Sequence, residues 1–200
     1  MLKIDEQAGA DLLLGQVAGL RITAGRSAVV ASAVLSLLAG LLGARQLRTN
    51  VAAAAAGGVV VVLVHWLSDL AHQLGHAQAA KKAGYPMTGL RLWGLFSTGQ
   101  YPPDEPELPA RIHVWRALGG PAASITLGLV AAPIALAARR GSLLQALGLF
   151  AFVDNLFVLG LGAFVPLGFT DGSTLLRWAP KLHEEKLEEC AVLRRSLKTN

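Results

Sequence analysis

Long uncharged runs alternate with short charged segments along the chain. Four such runs cover residues 27–44, 51–80, 117–138 and 141–170, and only the second and fourth hold a formal charge, Asp69 and Asp154. A helix that crosses a bilayer needs about 20 predominantly apolar residues. The pattern therefore predicts an all-α polytopic membrane protein with about four transmembrane helices.

The polar segments between and around these runs define the other elements. Residues 81–116 hold five basic residues and a stretch rich in prolines and acids, which cannot lie bare in lipid. Within it, residues 90–96 predict a short strand, a small β element in the cytoplasmic loop between helices 2 and 3. Residues 16–23 predict another short strand. We expect a cytoplasmic N-terminal segment over 1–26, a core over 27–172 and a charged C-terminal tail over 173–200.

Composition agrees with a membrane protein rather than a soluble one. Hydrophobic residues make up 53% of the chain and charged residues 16%, and the mean hydropathy is +0.48. The net charge of +5 does not predict nucleic acid as a partner, because basic residues of membrane proteins concentrate in cytoplasmic loops. With both termini cytoplasmic, 14 of the 18 basic residues lie inside. This count favours that orientation in the cell membrane.

The second run ends in a stripe of polar residues at helical spacing: His65, Asp69, His72 and His76. His72 and His76 are one turn apart, so both imidazoles can point at a single metal ion. A zinc site that performs hydrolysis needs three protein ligands and one open position. Asp171 is the best third candidate, because the helix breaks at Pro166 and brings a carboxylate to a matching depth. The alternative is that the histidines only pack or form hydrogen bonds.

Three segments, in order, carry a family resemblance. Residues 71–77 read Ala-His-Gln-Leu-Gly-His-Ala, residues 119–124 read Gly-Gly-Pro-Ala-Ala-Ser, and residues 164–172 read Phe-Val-Pro-Leu-Gly-Phe-Thr-Asp-Gly. They resemble the H-E-L-G-H-A, A-G-P-x-x-N/S and N-x-x-P-x-x-x-L-D-G segments of the site-2 protease family of intramembrane zinc metalloproteases. The resemblance covers roughly residues 60 to 175.

The resemblance implies a zinc cofactor on His72, His76 and Asp171 and a substrate that is a membrane protein or transmembrane peptide. In that family a short sheet after the histidine helix meets the substrate. Here the corresponding segment is the predicted strand, with three candidate substrate contacts at Leu90, Leu92 and Trp93.

Two positions depart from the family pattern. Gln73 replaces the glutamate that serves as general base, and Ala163 replaces the asparagine that precedes the proline segment. An amide cannot take up a proton at neutral pH, and losing a general base costs about 10²- to 10⁴-fold in rate. The sequence therefore predicts a site-2-protease-like homologue with impaired hydrolysis.

Three alternatives stay open at this point. A zinc-binding pseudoprotease would bind or regulate membrane protein partners without cutting them. A glutamine introduced at position 73 to trap substrate would give the same sequence there. A small ion-handling bundle would line a polar path with His65, Asp69 and Asp154, but it leaves the three ordered motifs unexplained.

Charged and amide side chains at membrane depth need partners, because ionisable groups in lipid are costly. We expect Asp69 to orient the His72 ring, since it lies three residues before it on the same side of the helix. We expect Asp154 to face the bundle, where it pairs with His65 or is held by Asn155 and nearby hydroxyls.

Overall fold

The computed structural model describes residues 11–47 and 50–196. In this part of the chain the helices are α1 (Arg26–Leu47), α2 (Val51–Lys82), α3 (Ala110–Ala137), α4 (Leu143–Val153) and α5 (Asp171–Ser196). α4 continues into a π-helical segment, Asp154–Leu161, and a 3-10 turn, Gly162–Phe164. Within the described residues, four helices are long and apolar enough to cross a membrane, with the last of these running over Leu143–Phe164. The predicted fold class is confirmed.

The faces of these helices are inverted relative to a water-soluble protein. Large apolar side chains point outward, with Leu37 62%, Leu63 55% and Leu129 60% exposed. Polar side chains of α2 and the π-helical segment point inward, and eight of them are buried: His65, Ser68, Asp69, His72, Gln73, His76, Asp154 and Asn155. An apolar exterior around a polar interior suits lipid as the solvent. The chain is an integral membrane protein.

Small residues bring α2 and α3 together. A Cβ atom added to Gly75 would clash with the carbonyl oxygen of Gly119, and one added to Gly119 would lie 2.5 Å from the carbonyl oxygen of Gly75. Helices in membranes pack at such short distances where small residues face each other. This close approach places the histidine face of α2 directly against α3.

Four strands within the described residues form one sheet in the order β1 (Leu12–Val17), β2 (Leu20–Ala24), β3 (Gly89–Trp93) and β4 (Phe96–Gln100). β1–β2 and β3–β4 are antiparallel, and β2–β3 is parallel. Residues 16–23, predicted as one strand, instead contain a tight turn between two strands. Ala18 (φ 51°) and Gly19 (φ 82°) both adopt positive φ, as type I′ hairpin turns require.

The N-terminal hairpin is fastened to the sheet by an ion pair as well as by strand pairing. Arg91 on β3 donates from Nε to Asp11 Oδ2 at 2.6 Å and from Nη2 to Oδ1 at 3.3 Å. The Arg91 guanidinium lowers the pKa of the Asp11 carboxyl below its usual value. Residues 12–24 of the predicted N-terminal segment are thus part of the same sheet as the loop between α2 and α3; residues 1–10 lie outside the described residues.

Strand β3 lies in the interior of the sheet. It pairs with β2 on one side and β4 on the other, and Leu90 is only 1% exposed. A strand paired on both sides has no free backbone groups for a peptide to join. The free edge on this side of the sheet therefore belongs to β4, and substrate contacts of Leu90, Leu92 and Trp93 stay a prediction.

Candidate metal centre

Helix α2 and the first residue of α5 bring three metal-ligating side chains to one point. His72 Nε2 lies 3.4 Å from Asp171 Oδ2, and His76 Nε2 lies 3.3 Å from Asp171 Oδ1. The two Nε2 atoms are 3.0 Å apart. Each of these three described residues offers one ligand atom, and the three ligand atoms all lie within 4.8 Å of one another. Two imidazoles and a carboxylate form a donor set that suits zinc.

The far side of each imidazole is held by α3. His76 Nδ1 lies 2.7 Å from the carbonyl oxygen of Arg116. A carbonyl only accepts hydrogen bonds, so Nδ1 carries the proton and Nε2 presents its lone pair toward Asp171. His72 Nδ1 lies 3.0 Å from Ser124 Oγ, which leaves its Nε2 on the same side. Both rings are thus oriented as metal-binding histidines are, with the other ring nitrogen in a hydrogen bond.

Asp69 does not orient His72, contrary to the expectation from sequence. The His72 ring turns its Nδ1 toward α3, where the Ser124 hydroxyl takes the place expected for Asp69. Asp69 is 3% exposed, and its Oδ2 has no hydrogen-bond partner among the described residues. Ser124 lies one turn beyond Gly120 on the helix that faces the histidines. The four-residue spacing from Gly120 to Ser124 places both residues on one face of α3, and this spacing could have predicted the contact with His72. A small hydroxyl residue on a membrane helix is, however, more readily interpreted as a packing residue.

Gly120 leaves the space at the centre of the site. A Cβ atom at this position would clash with Nε2 of both His72 and His76. A side chain there would fill the place where the two ring nitrogens converge. The donor set, the ring orientations and this open space together fit a zinc ion.

The variant Gly120→Ala should therefore lose metal binding. The added methyl group displaces the two rings, and zinc affinity should fall by at least the 10- to 100-fold that follows disruption of a ligand's supporting partner. Zinc titration of the purified chain measures this change. Gly57→Ala is the matched control, because a Cβ atom there on α2 meets nothing within 4 Å. Equal zinc affinity in both variants would contradict the assignment.

Gln73, which the sequence resemblance matches to the general-base position, has a side chain that is already engaged. Its Nε2 donates to the carbonyl oxygen of Ser97 on β4 at 3.1 Å, and the residue is 5% exposed. Its Oε1 has no hydrogen-bond partner among the described residues. Ala163, the second departure from the family pattern, lines the same cavity as Gln73.

A cavity of about 560 Å³ opens beside the three ligand residues. Its wall includes β4 from Phe96 to Gly99, but among the described residues it does not include Leu90, Leu92 or Trp93. The proline-rich stretch over 101–109 forms another side. Arg116 ties this stretch to α3, because its guanidinium donates to both carboxylate oxygens of Glu105 and lies 4.2 Å from the Tyr101 ring centroid.

The pairing predicted for His65 and Asp154 is present. His65 Nδ1 lies 3.1 Å from both carboxylate oxygens of Asp154, and both residues are buried. Asn155 donates from Nδ2 to Ser68 Oγ at 2.7 Å and to the Ala151 carbonyl oxygen at 2.9 Å. The contacts of Asp154 with His65 and of Asn155 with Ser68 fasten the π-helical segment to α2, one helical turn and more from the candidate metal ligands.

Comparison with known proteins bears on the fold. No sequence-family model matches the chain, and no curated protein matches its sequence. The solved structure of the Site-2 Protease from Methanocaldococcus jannaschii is similar, with a TM-score of 0.60 and 19% sequence identity. The similarity covers 84% of this chain and 70% of that one. The chain is thus a membrane protein with a site-2-protease-like fold.

Proposed function

We propose that this chain is a zinc-binding, site-2-protease-like membrane protein that acts on membrane-embedded peptides with impaired hydrolysis. The observation that carries the proposal is the convergence of His72, His76 and Asp171 on one point beside a cavity walled by an edge strand. Zinc, when bound, supplies a Lewis acid that polarises a carbonyl and lowers the pKa of water. The residues that would hold it are these three, with Ser124 and the Arg116 carbonyl orienting the rings.

Strand β4 is the element we assign to peptide binding. A transmembrane helix satisfies its own backbone, so a segment must unwind before its peptide bonds can be reached. An extended segment can then recover hydrogen bonds by pairing with the edge of a sheet. β4 is paired with β3 on one side only, and it forms a wall of the cavity next to the ligand residues. On its other side the Ser97 carbonyl already accepts from Gln73, so a peptide would pair with the remaining backbone groups of that edge.

A second function is favoured by one observation at position 73. The Gln73 amide donates to a backbone carbonyl and has no basic group to accept a proton. A pseudoprotease would keep the metal, the cavity and the edge strand, and would bind or regulate membrane protein partners without cleaving them. The two functions share the zinc site and differ only in turnover.

For the setting of the protein, we propose the cell membrane with both termini in the cytoplasm. The support is the excess of basic residues in the segments that this orientation places inside. The metal ligands then lie toward the cytoplasmic ends of their helices.

Zinc content provides the first test. The purified chain should bind zinc at a ratio of about one ion per chain, as expected for a site with three protein ligands. Asp171→Ala should lose this zinc, because two histidines alone leave the donor set incomplete. Asp104→Ala is the control, since Asp104 is an exposed acid of the proline-rich stretch. Equal zinc in Asp171→Ala and Asp104→Ala would overturn the proposed metal site.

A further inference from the structure

Two side chains of α2 donate hydrogen bonds to backbone carbonyls of the β3–β4 hairpin. His65 Nε2 lies 2.9 Å from the carbonyl oxygen of Leu95, in the turn of the hairpin. Gln73 Nε2 lies 3.1 Å from the carbonyl oxygen of Ser97, in β4. A carbonyl oxygen only accepts, so both side chains act as donors. The hairpin is thus attached to the membrane helix at two alternate residues.

The Ser97 carbonyl lies on the side of β4 that faces away from β3. Trp93 pairs with Phe96 around the two-residue turn, which makes them the hydrogen-bonded pair that closes the hairpin. The next residue of β4, Ser97, then directs its N–H and C=O away from β3, and the bond from Gln73 is consistent with this. Side chains of α2 therefore contact the strand along the edge that borders the metal centre.

Both donor side chains are largely shielded from solvent. His65 is 4% exposed and Gln73 is 5% exposed. The strand is also packed closely at Gly99, where a Cβ atom would lie 2.6 Å from Met87 Cε and 3.6 Å from Gln73 Oε1. A partly buried carbonyl that loses its donor bears part of the cost of its desolvation. The two hydrogen bonds therefore help to hold β4 in its place relative to the site.

We infer that Gln73 and His65 are positioning residues that hold β4 against the metal centre, and that glutamine at position 73 serves as the donor to Ser97. The importance of this for peptide binding depends on the proposed function, in which β4 is the pairing strand. A glutamate at position 73 would place a carboxylate, which only accepts, against a carbonyl oxygen. The residue that departs from the family motif thus has a function of its own in this fold.

Hydrogen exchange of the full-length chain in detergent tests the inference. Gln73→Met keeps the side-chain length and removes the donor, and Gln78→Met is the matched control at an exposed position of the same helix. Gln73→Met should raise amide exchange of residues 96–100 about five-fold, which corresponds to one net hydrogen bond. Exchange in α1 and α3 and the zinc content should not change. Gln73→Glu should raise exchange over the same residues at least as much.

Two results would overturn the inference. Exchange over 96–100 in Gln73→Met could equal that in Gln78→Met, or it could rise equally throughout the chain, as for a general loss of stability. A spectroscopic measurement on the unsubstituted chain gives a second test that needs no variant to fold. With 15N-labelled glutamine, a side-chain amide proton of Gln73 should exchange at least about five-fold more slowly than those of Gln78. Equal exchange of the two side chains would also overturn it.

Neither measurement depends on peptide cleavage. If the zinc test fails and the exchange results hold, the proposed function is wrong and the attachment of β4 stands. If zinc binds and the exchange results fail, the metal site stands and position 73 has no positioning role.

Discussion

The zinc-loaded Gln73→Glu chain should cleave a membrane-embedded peptide about 10²- to 10⁴-fold faster than the unsubstituted chain. The substitution supplies a carboxylate that can accept a proton beside the three proposed ligands, where the amide cannot. The gain should fall toward the lower end of this range, because the new side chain no longer donates to the Ser97 carbonyl. The measurement is the cleavage rate of one model transmembrane peptide in detergent at fixed zinc.

The controls for this experiment separate the two proposed functions. Gln78→Glu adds the same charge at an exposed position of α2 and should leave the rate unchanged. Gln73→Glu combined with Asp171→Ala should show no gain, because the metal site is then incomplete. Fast cleavage by the unsubstituted chain would contradict the impairment expected from Gln73. No cleavage by zinc-loaded Gln73→Glu would favour the pseudoprotease.

Much of the fold could be predicted because its signals are local. A run of about 20 apolar residues predicts a spanning helix whatever surrounds it, and all four runs correspond to apolar helices. The juxtaposition of His72 and His76 follows from a four-residue spacing on one helix. Asp171 was a candidate because the break at Pro166 places it at the end of the fourth run, and α5 does begin at Asp171.

The features of the fold and the site that the sequence did not predict depend on contacts between segments that are distant in the chain. β3 lies in the interior of the sheet only because β2, more than sixty residues earlier in the chain, pairs with it. No local pattern around Leu90 or Trp93 reveals that pairing, so the sequence could not show that β3 is an interior strand. The partner of His72 likewise depends on how α2 and α3 face each other. Ser124 is 52 residues from His72, and its hydroxyl, rather than the nearby Asp69, meets the ring.

The buried pair of His65 and Asp154 contains one shared proton. His65 Nε2 faces the carbonyl oxygen of Leu95 and must carry a proton there. Nδ1 faces the carboxylate of Asp154, so a single further proton lies between them, on the ring or on the carboxyl group. In either arrangement the pair has no net charge. A neutral pair with both ring nitrogens bonded can lie within the membrane at modest cost.

Removal of one partner should therefore be costly. Asp154→Ala leaves a buried ring nitrogen without a partner and should lower the free energy of unfolding by about 1 to 3 kcal/mol. Asp154→Asn should cost clearly less than Asp154→Ala, because its amide can still donate to Nδ1 of the neutral ring. Unfolding titrations in mixed detergent micelles measure both variants. An equal loss of stability in the two variants would contradict the expectation that a donor to Nδ1 of His65 is enough to hold the π-helical segment against α2.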